Sequence, residues 1–252
     1  MSRISIITIN YNDVIGLERT ILSVINQKNI LFEYIVIDGN SSDGGKEVIK
    51  KYDDNITYSV SEEDSGIYNA MNKGIAKATG DYLLFMNSGD VLIDDVNILA
   101  TCNDMLIEDI VAFDCYLEKD DEIVGRKTHA VKPTLFYVYK NGLKHQSTFI
   151  KRSLFTKLGD YNEAYKIASD YEFWIRCFLD PKTTSKSYSI PVAKFKLNGI
   201  SQSGDWNSEH VLIEEEWLGN TIEDFNLLEE LLPYKKSRIL SSIVKLIRFL
   251  KF

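Results

Sequence analysis

Gly80-Asp81-Tyr82-Leu83-Leu84-Phe85-Met86-Asn87-Ser88-Gly89-Asp90 is an unbroken apolar run that ends in a polar, glycine-containing turn. A short apolar run bounded by turn residues is the pattern of a strand buried on both faces, as in a parallel sheet. Two upstream stretches have the same form. Ser5-Ile6-Ile7-Thr8-Ile9 leads into Asn10-Tyr11-Asn12, and Tyr34-Ile35-Val36-Ile37 leads into Asp38-Gly39-Asn40-Ser41-Ser42-Asp43-Gly44. Around them, 14–27 and 66–78 carry apolar residues at helical spacing. Strands alternating with helices predict an α/β fold with a Rossmann-like, mainly parallel central sheet flanked by helices. Ligands of such sheets sit beyond the carboxyl ends of the strands, so the three polar ends are expected to meet at one crevice.

Outward from this core, 112–151 has shorter apolar runs, glycine-containing turns and many tyrosines. Mixed or antiparallel strands are expected there, finishing the sheet and shaping a second pocket. This gives one domain over 1–204, with a first half over 1–95 and a second over 96–204, followed by a helical extension over 205–252. The 252 residues, 44% hydrophobic and 26% charged, have a globular composition. A net charge of −8 argues against nucleic acid as a partner, because phosphate backbones demand a basic surface. Cys102, Cys115 and Cys177 are odd in number and widely spaced, so reduced buried thiols are expected rather than disulfides or a zinc site. The chain opens directly into a strand pattern, and no apolar run approaches the roughly 20 residues of a membrane span, which predicts a cytoplasmic protein.

The last stretch differs in character. Ile239, Leu240, Ile243, Val244, Leu246, Ile247 and Leu250 fall on one helical face, with Arg238, Lys245, Arg248 and Lys251 on the other, and no acidic residue follows Glu230. From Arg238 onward such a helix reaches only about 22 Å, too short to cross a hydrocarbon core of about 30 Å. It is expected either to lie on an anionic membrane surface or to pack on the protein.

Several carboxylates stand where chemistry is expected. Asp90 closes a strand and could bind a hard divalent cation through oxygen, or be a simple turn aspartate. Asp38 could accept a hydrogen bond from a base or ribose, and Ser41, Ser42 and Asp43 could equally cap the next helix. Tyr11 could stack on a nucleobase. Asp170 starts a helical run with apolar Phe173, Trp174 and Cys177, a position the helix dipole alone would favour. His145 is either a locally satisfied ring or a pocket residue.

The stretches 5–12, 34–44 and 80–90, in this order and spacing, resemble family-two glycosyltransferases of the GT-A fold. Asp64-Ser65-Gly66-Ile67-Tyr68-Asn69-Ala70-Met71-Asn72-Lys73-Gly74 resembles the segment linking their nucleotide and sugar sites, particularly in capsule and exopolysaccharide enzymes of the colanic-acid type. The resemblance covers roughly 3–204 and implies that 1–204 is a catalytic domain with a nucleotide-sugar-binding half (1–95) and an acceptor-binding half (96–204). It implies that Thr8, Asn10, Tyr11 and Asp38 hold the nucleoside, and that Asp64 and Lys73 lie near ribose or diphosphate. It also implies that Ser88 belongs to the donor site, that His145 lines the sugar or acceptor pocket, that Asp90 binds Mn²⁺ or Mg²⁺, and that Asp170 is the catalytic base. The donor implied is a nucleotide-diphosphate sugar, a UDP-sugar foremost, and the acceptor a glycan or lipid-linked hydroxyl. The usual Asp-x-Asp metal motif is reduced here, with Asn87 and Gly89 where further carboxylates often stand, so metal affinity is expected to depend on the diphosphate. Direct displacement with inversion follows. A nucleotidyltransferase would carry a glycine-rich, basic phosphate loop after its first strand; a catalytically inactive sugar-nucleotide-binding scaffold would hold Asp90 and Asp170 too far apart for one substrate.

Overall fold

Ile4, Ile6, Ile7 and Ile9 point alternately to the two faces of the first strand, and both faces are covered, so the strand is buried along its whole length. In the computed structural model, which describes residues 3–197 and 206–234, this strand, β1 (Ile4–Asn10), lies inside the sheet. It is followed by α1 (Val14–Ile25), β2 (Phe32–Asp38), α2 (Gly45–Lys51), β3 (Tyr58–Ser61), α3 (Ile67–Lys77) and β4 (Tyr82–Phe85). Then come β5 (Val91–Leu92), α4 (Ile98–Asn103), β6 (Ile110–Lys119), β7 (Glu122–Lys127), α5 (Leu135–Asn141), β8 (Thr148–Lys151) and α6 (Arg152–Leu158). The remaining elements are α7 (Ser169–Leu179), β9 (Ser185–Lys196), α8 (Trp206–Trp217) and α9 (Thr221–Leu231). The chain divides into two units at His210, the second containing the rest of α8 and all of α9. The amphipathic stretch 238–251 lies outside the described residues.

The described strands form one sheet in the order β3-β2-β1-β4-β8-β6-β9-β5, with β7 paired to β6. β3, β2, β1 and β4 run parallel, with Asn10 level with Asp38 and Ile7 level with Phe85. Beyond β4 the sheet is mixed: β8 is antiparallel to both β4 and β6, β9 is parallel to β6, and the short β5 is antiparallel to β9. The parallel half is that expected from the first ninety residues, and the mixed half answers to the shorter runs of 112–151.

Helix α1 fixes the turn after β4. Its buried residues Gly16, Leu17, Thr20, Ile21 and Val24 form a stripe at helical spacing, and the Asp13 side chain caps it by accepting from Gly16 N. A Cβ on Gly16 would come within 2.8 Å of Gly89 N, so only glycine lets the helix approach the turn this closely. Thr20 Oγ1 accepts from Gly89 N at 3.0 Å and donates to the Asp90 carbonyl at 2.7 Å. Gly89 itself has φ +94°, which a larger residue would hold only under strain. The conformation that presents Asp90 is therefore set by a helix far upstream in sequence.

Candidate active site

The carboxyl ends of β1, β2 and β4 open into a cleft of about 790 Å³. Asn10 and Tyr11 enter it from β1, Gly39 and Asn40 from β2, and Asn87, Ser88 and Asp90 from β4. Opposite them stand Asp64 and the first turns of α3, and the mixed half of the protein contributes Lys144, His145, Gln146, Asp170, Phe195 and Lys196. A topological switch point between β1 and β4 thus becomes a two-sided site.

Hydrogen bonds stitch the strand ends together. Asn10 donates to Asp38 Oδ1 at 2.7 Å, and its own Oδ1 accepts from Ser88 Oγ at 2.8 Å. Ser41 donates to Asp38 through its amide and hydroxyl, and Ser61 adds another hydroxyl. Burial raises the Asp38 pKa, but these donors outweigh it and hold the carboxyl below its ordinary value.

Asp90 is in a different environment. It is 4% exposed, and burial pushes its pKa up to about 6 against the opposing influences of His145, the Lys196 amide, Gln146 and Lys144. Its Oδ1 accepts from Lys196 N at 3.1 Å. At neutral pH this is an under-solvated carboxylate facing a cleft, which an incoming cation would satisfy.

Across the cleft, Asp170 sits in the first turn of α7 with a side chain 22% exposed. Its Oδ1 accepts from Tyr171 N at 2.9 Å and lies 3.1 Å from the Tyr68 hydroxyl; its Oδ2 is 3.2 Å from His145 Nδ1. On the other side of the ring, Asn87 Nδ2 donates to Nε2 at 3.3 Å, which puts the imidazole proton on Nδ1, aimed at Asp170. His145 therefore links the turn that carries Asp90 to the helix that carries Asp170. Burial raises the Asp170 pKa, but the hydrogen bond of His145, the charge of Lys144 and the Tyr68 hydroxyl outweigh it and hold the carboxyl below the usual carboxylate range.

This geometry carries a pH prediction. His145→Asn removes the largest influence lowering the Asp170 pKa, so the acidic limb of the kcat/KM profile is expected to move to higher pH. An acidic limb in the same place as wild type would separate His145 from Asp170.

Seven expected residues line the cleft: Asn10, Tyr11, Asp64, Ser88, Asp90, His145 and Asp170. Tyr11, 64% exposed, is open to a ligand face. Three of the expected site residues do not line the cleft. Thr8 is fully buried, with its hydroxyl 3.0 Å from that of Tyr34, so it sits beneath the cleft. Asp38 is also fully buried, and its oxygens are taken by Asn10, Ser41 and Ser61; it shapes the loop rather than lining the cleft. Lys73 turns away from the cleft to Glu62 Oε1 at 2.9 Å and the Glu63 carbonyl at 2.8 Å. Asp13, Tyr68, Asn87, Lys144 and Lys196 are cleft residues not singled out from sequence. For the lysines there was no local signal, because they arrive from a loop and from the end of β9.

The architecture is that of GT-A glycosyltransferases. Staphylococcus aureus TarS (residues 1–349, in complex with UDP) superposes with a TM-score of 0.64 at 19% identity, covering 77% of this chain and 60% of that one. The mannosyltransferase PcManGT of Pyrobaculum calidifontis, solved with GDP-Man and Mn²⁺, gives 0.58 at 16% identity, over 77% and 56%. At those identities the likeness establishes the fold alone, and this chain spans little more than half of each solved chain. The sequence profile of Glycosyl transferase family 2 matches residues 5–167. An uncharacterized glycosyltransferase of Mycobacterium tuberculosis is 35% identical over 181 residues, 70% of this chain and 69% of its own. A PGL/p-HBAD biosynthesis glycosyltransferase of Mycobacterium bovis is 29% identical over 184 residues, 68% of each. The chain belongs to glycosyl transferase family 2.

Proposed function

We propose that this protein is an inverting glycosyltransferase that moves a sugar from a nucleotide-diphosphate donor to an acceptor hydroxyl, in the synthesis of a surface glycan on a lipid-linked intermediate. The observation that carries the reading is the placement of Asp90 and Asp170 in one cleft, joined through His145 and Asn87. The donor class is supported by the UDP and GDP-Man in the solved relatives, and a UDP-sugar is the first choice. The glycan pathway is supported by the name of the Mycobacterium bovis relative.

Tyr11 stacks on the base, while Asn10, Asp64 and Ser88 hold the nucleoside and diphosphate side of the donor. Asp170, ionised and held by Tyr171 N and His145, takes the acceptor proton as the hydroxyl attacks the anomeric carbon from the face opposite the leaving diphosphate. Lys144 and Lys196 place positive charge around the cleft where negative charge develops on the diphosphate.

The donor set also bears on the metal. Among the described residues, no three His, Cys, Asp or Glu side chains come together as a metal cage. A single cleft-facing carboxylate suits a hard cation bound weakly by the protein alone, so Asp90 would hold Mn²⁺ or Mg²⁺ together with the donor. The ion supplies Lewis-acid stabilisation of the leaving group when bound. The reading is tested by nucleoside diphosphate release from a panel of UDP- and GDP-sugars with Mn²⁺. Turnover of at least one donor is expected; nucleotide binding without turnover of any would overturn it.

Among the described residues no helix is long and apolar enough to cross a membrane. The basic stretch 238–251 is proposed to dock on the cytoplasmic face of an anionic membrane, bringing the cleft to a lipid-linked acceptor. Full-length protein is expected to co-sediment with anionic vesicles at low salt and to release at high salt, whereas a chain ending at Tyr234 stays in solution. Equal sedimentation of the two, or binding insensitive to salt, would contradict it.

A further inference from the structure

Helix α8 starts beyond the span of the family match, yet its first turn reaches the segment that carries Asp170. The Glu209 carboxylate accepts from three consecutive backbone amides, Lys166 N at 2.6 Å, Ile167 N at 2.9 Å and Ala168 N at 2.8 Å. These amides lead into α7, whose N-cap residue Ala168 offers no side-chain cap of its own. N–H groups at a helix start need partners from outside the helix, and a negative charge there also meets the positive end of the helix dipole. The next residue, His210, stacks on Tyr171 with ring centroids 3.9 Å apart and an interplanar angle of 11°. Adjacent residues of α8 thus grip the chain on both sides of Asp170.

The gripped segment also reaches Asp170 by another route. The Ile167 carbonyl accepts from the Tyr68 hydroxyl at 2.6 Å, and that hydroxyl is 3.1 Å from Asp170 Oδ1. A shift of 166–168 would therefore move both the helix that carries Asp170 and the tyrosine that contacts it. Glu209 itself is not among the residues lining the cleft.

We propose that Glu209 is a positioning residue for sugar transfer, clamping the start of α7 so that the Asp170 carboxylate faces the acceptor hydroxyl; the inference rests on Asp170 being the base. Displacing a catalytic group by about 1 Å can cost about a hundredfold in rate, so the clamp acts on turnover rather than on donor binding. The experiment compares Glu209→Ala, Glu209→Gln and Asp170→Asn in the full-length protein, reading kcat, donor KM, nucleotide affinity and amide hydrogen exchange. In Glu209→Ala, kcat is expected to fall roughly ten- to a hundredfold with donor KM and nucleotide affinity unchanged, and exchange to quicken at 166–168 while the strands stay protected. Glu209→Gln keeps one acceptor oxygen at the same reach and is expected to recover part of the lost kcat. Wild-type kcat in Glu209→Ala, with Asp170→Asn inactive, overturns the clamp alone. Wild-type turnover in Asp170→Asn overturns the base assignment and the clamp with it. A loss of kcat matched by lost nucleotide affinity and by exchange across the whole sheet makes Glu209 merely structural and overturns the clamp.

Discussion

Replacing Asp170 by Asn is expected to lower sugar transfer by about 10²- to 10⁴-fold, the range a general base contributes, while nucleotide affinity stays within about twofold of wild type. The substitution keeps the shape and leaves an oxygen to accept the hydrogen bond that Tyr171 N donates to Oδ1. What it removes is an ionised oxygen beside His145 Nδ1, the place where the acceptor proton would go. Asp170 is not among the residues proposed to hold the donor, so donor binding is not expected to register the change. Single-turnover rates and calorimetry on the same sample separate the two effects. Turnover equal to wild type would remove Asp170 from the chemistry.

The second large effect is expected at Asp90. In Asp90→Ala, affinity for a nucleoside diphosphate in the presence of Mn²⁺ is expected to fall at least about tenfold, or about 1.4 kcal/mol, because the proposed function makes Asp90 the carboxylate that would hold the cation. The difference from wild type is expected to shrink when Mn²⁺ is withheld. Asp90 also accepts from Lys196 N, so truncation leaves a backbone donor without its partner and costs about 1–3 kcal/mol of stability. A melting curve measured alongside calorimetry keeps the two consequences apart. Unchanged affinity with Mn²⁺ present would contradict the assignment.

The sequence displayed the site unevenly, for physical reasons. Asp90 and the strand ends were legible because a strand buried on both faces and its polar stop are written in consecutive residues, and parallel strands aim their stops at one edge. Thr8 lies off the cleft because it shares a strand face with Asn10 but sits two residues deeper, with its hydroxyl against that of Tyr34. Lys73 lies off the cleft through helical phase: Ile67, Ala70 and Met71 face the cleft, and residue 73 falls on the other side of α3. His145 was visible as a candidate, but its bridge between Asn87 and Asp170 depends on three segments meeting in space. Glu209 carried no signal at all, since its contacts are to amides about forty residues earlier and involve no motif. The same applies to Thr20, whose hydroxyl fixes the Asp90 turn from a helix that reads only as core.

The central claim is direct displacement at the anomeric carbon by a hydroxyl that Asp170 deprotonates. Proton NMR of the sugar first released from an α-linked nucleotide-diphosphate donor, with water in place of the acceptor, tests it most directly. The β anomer is expected to appear first and then to mutarotate, with the signal lost in Asp170→Asn; initial release of the α anomer would contradict the account.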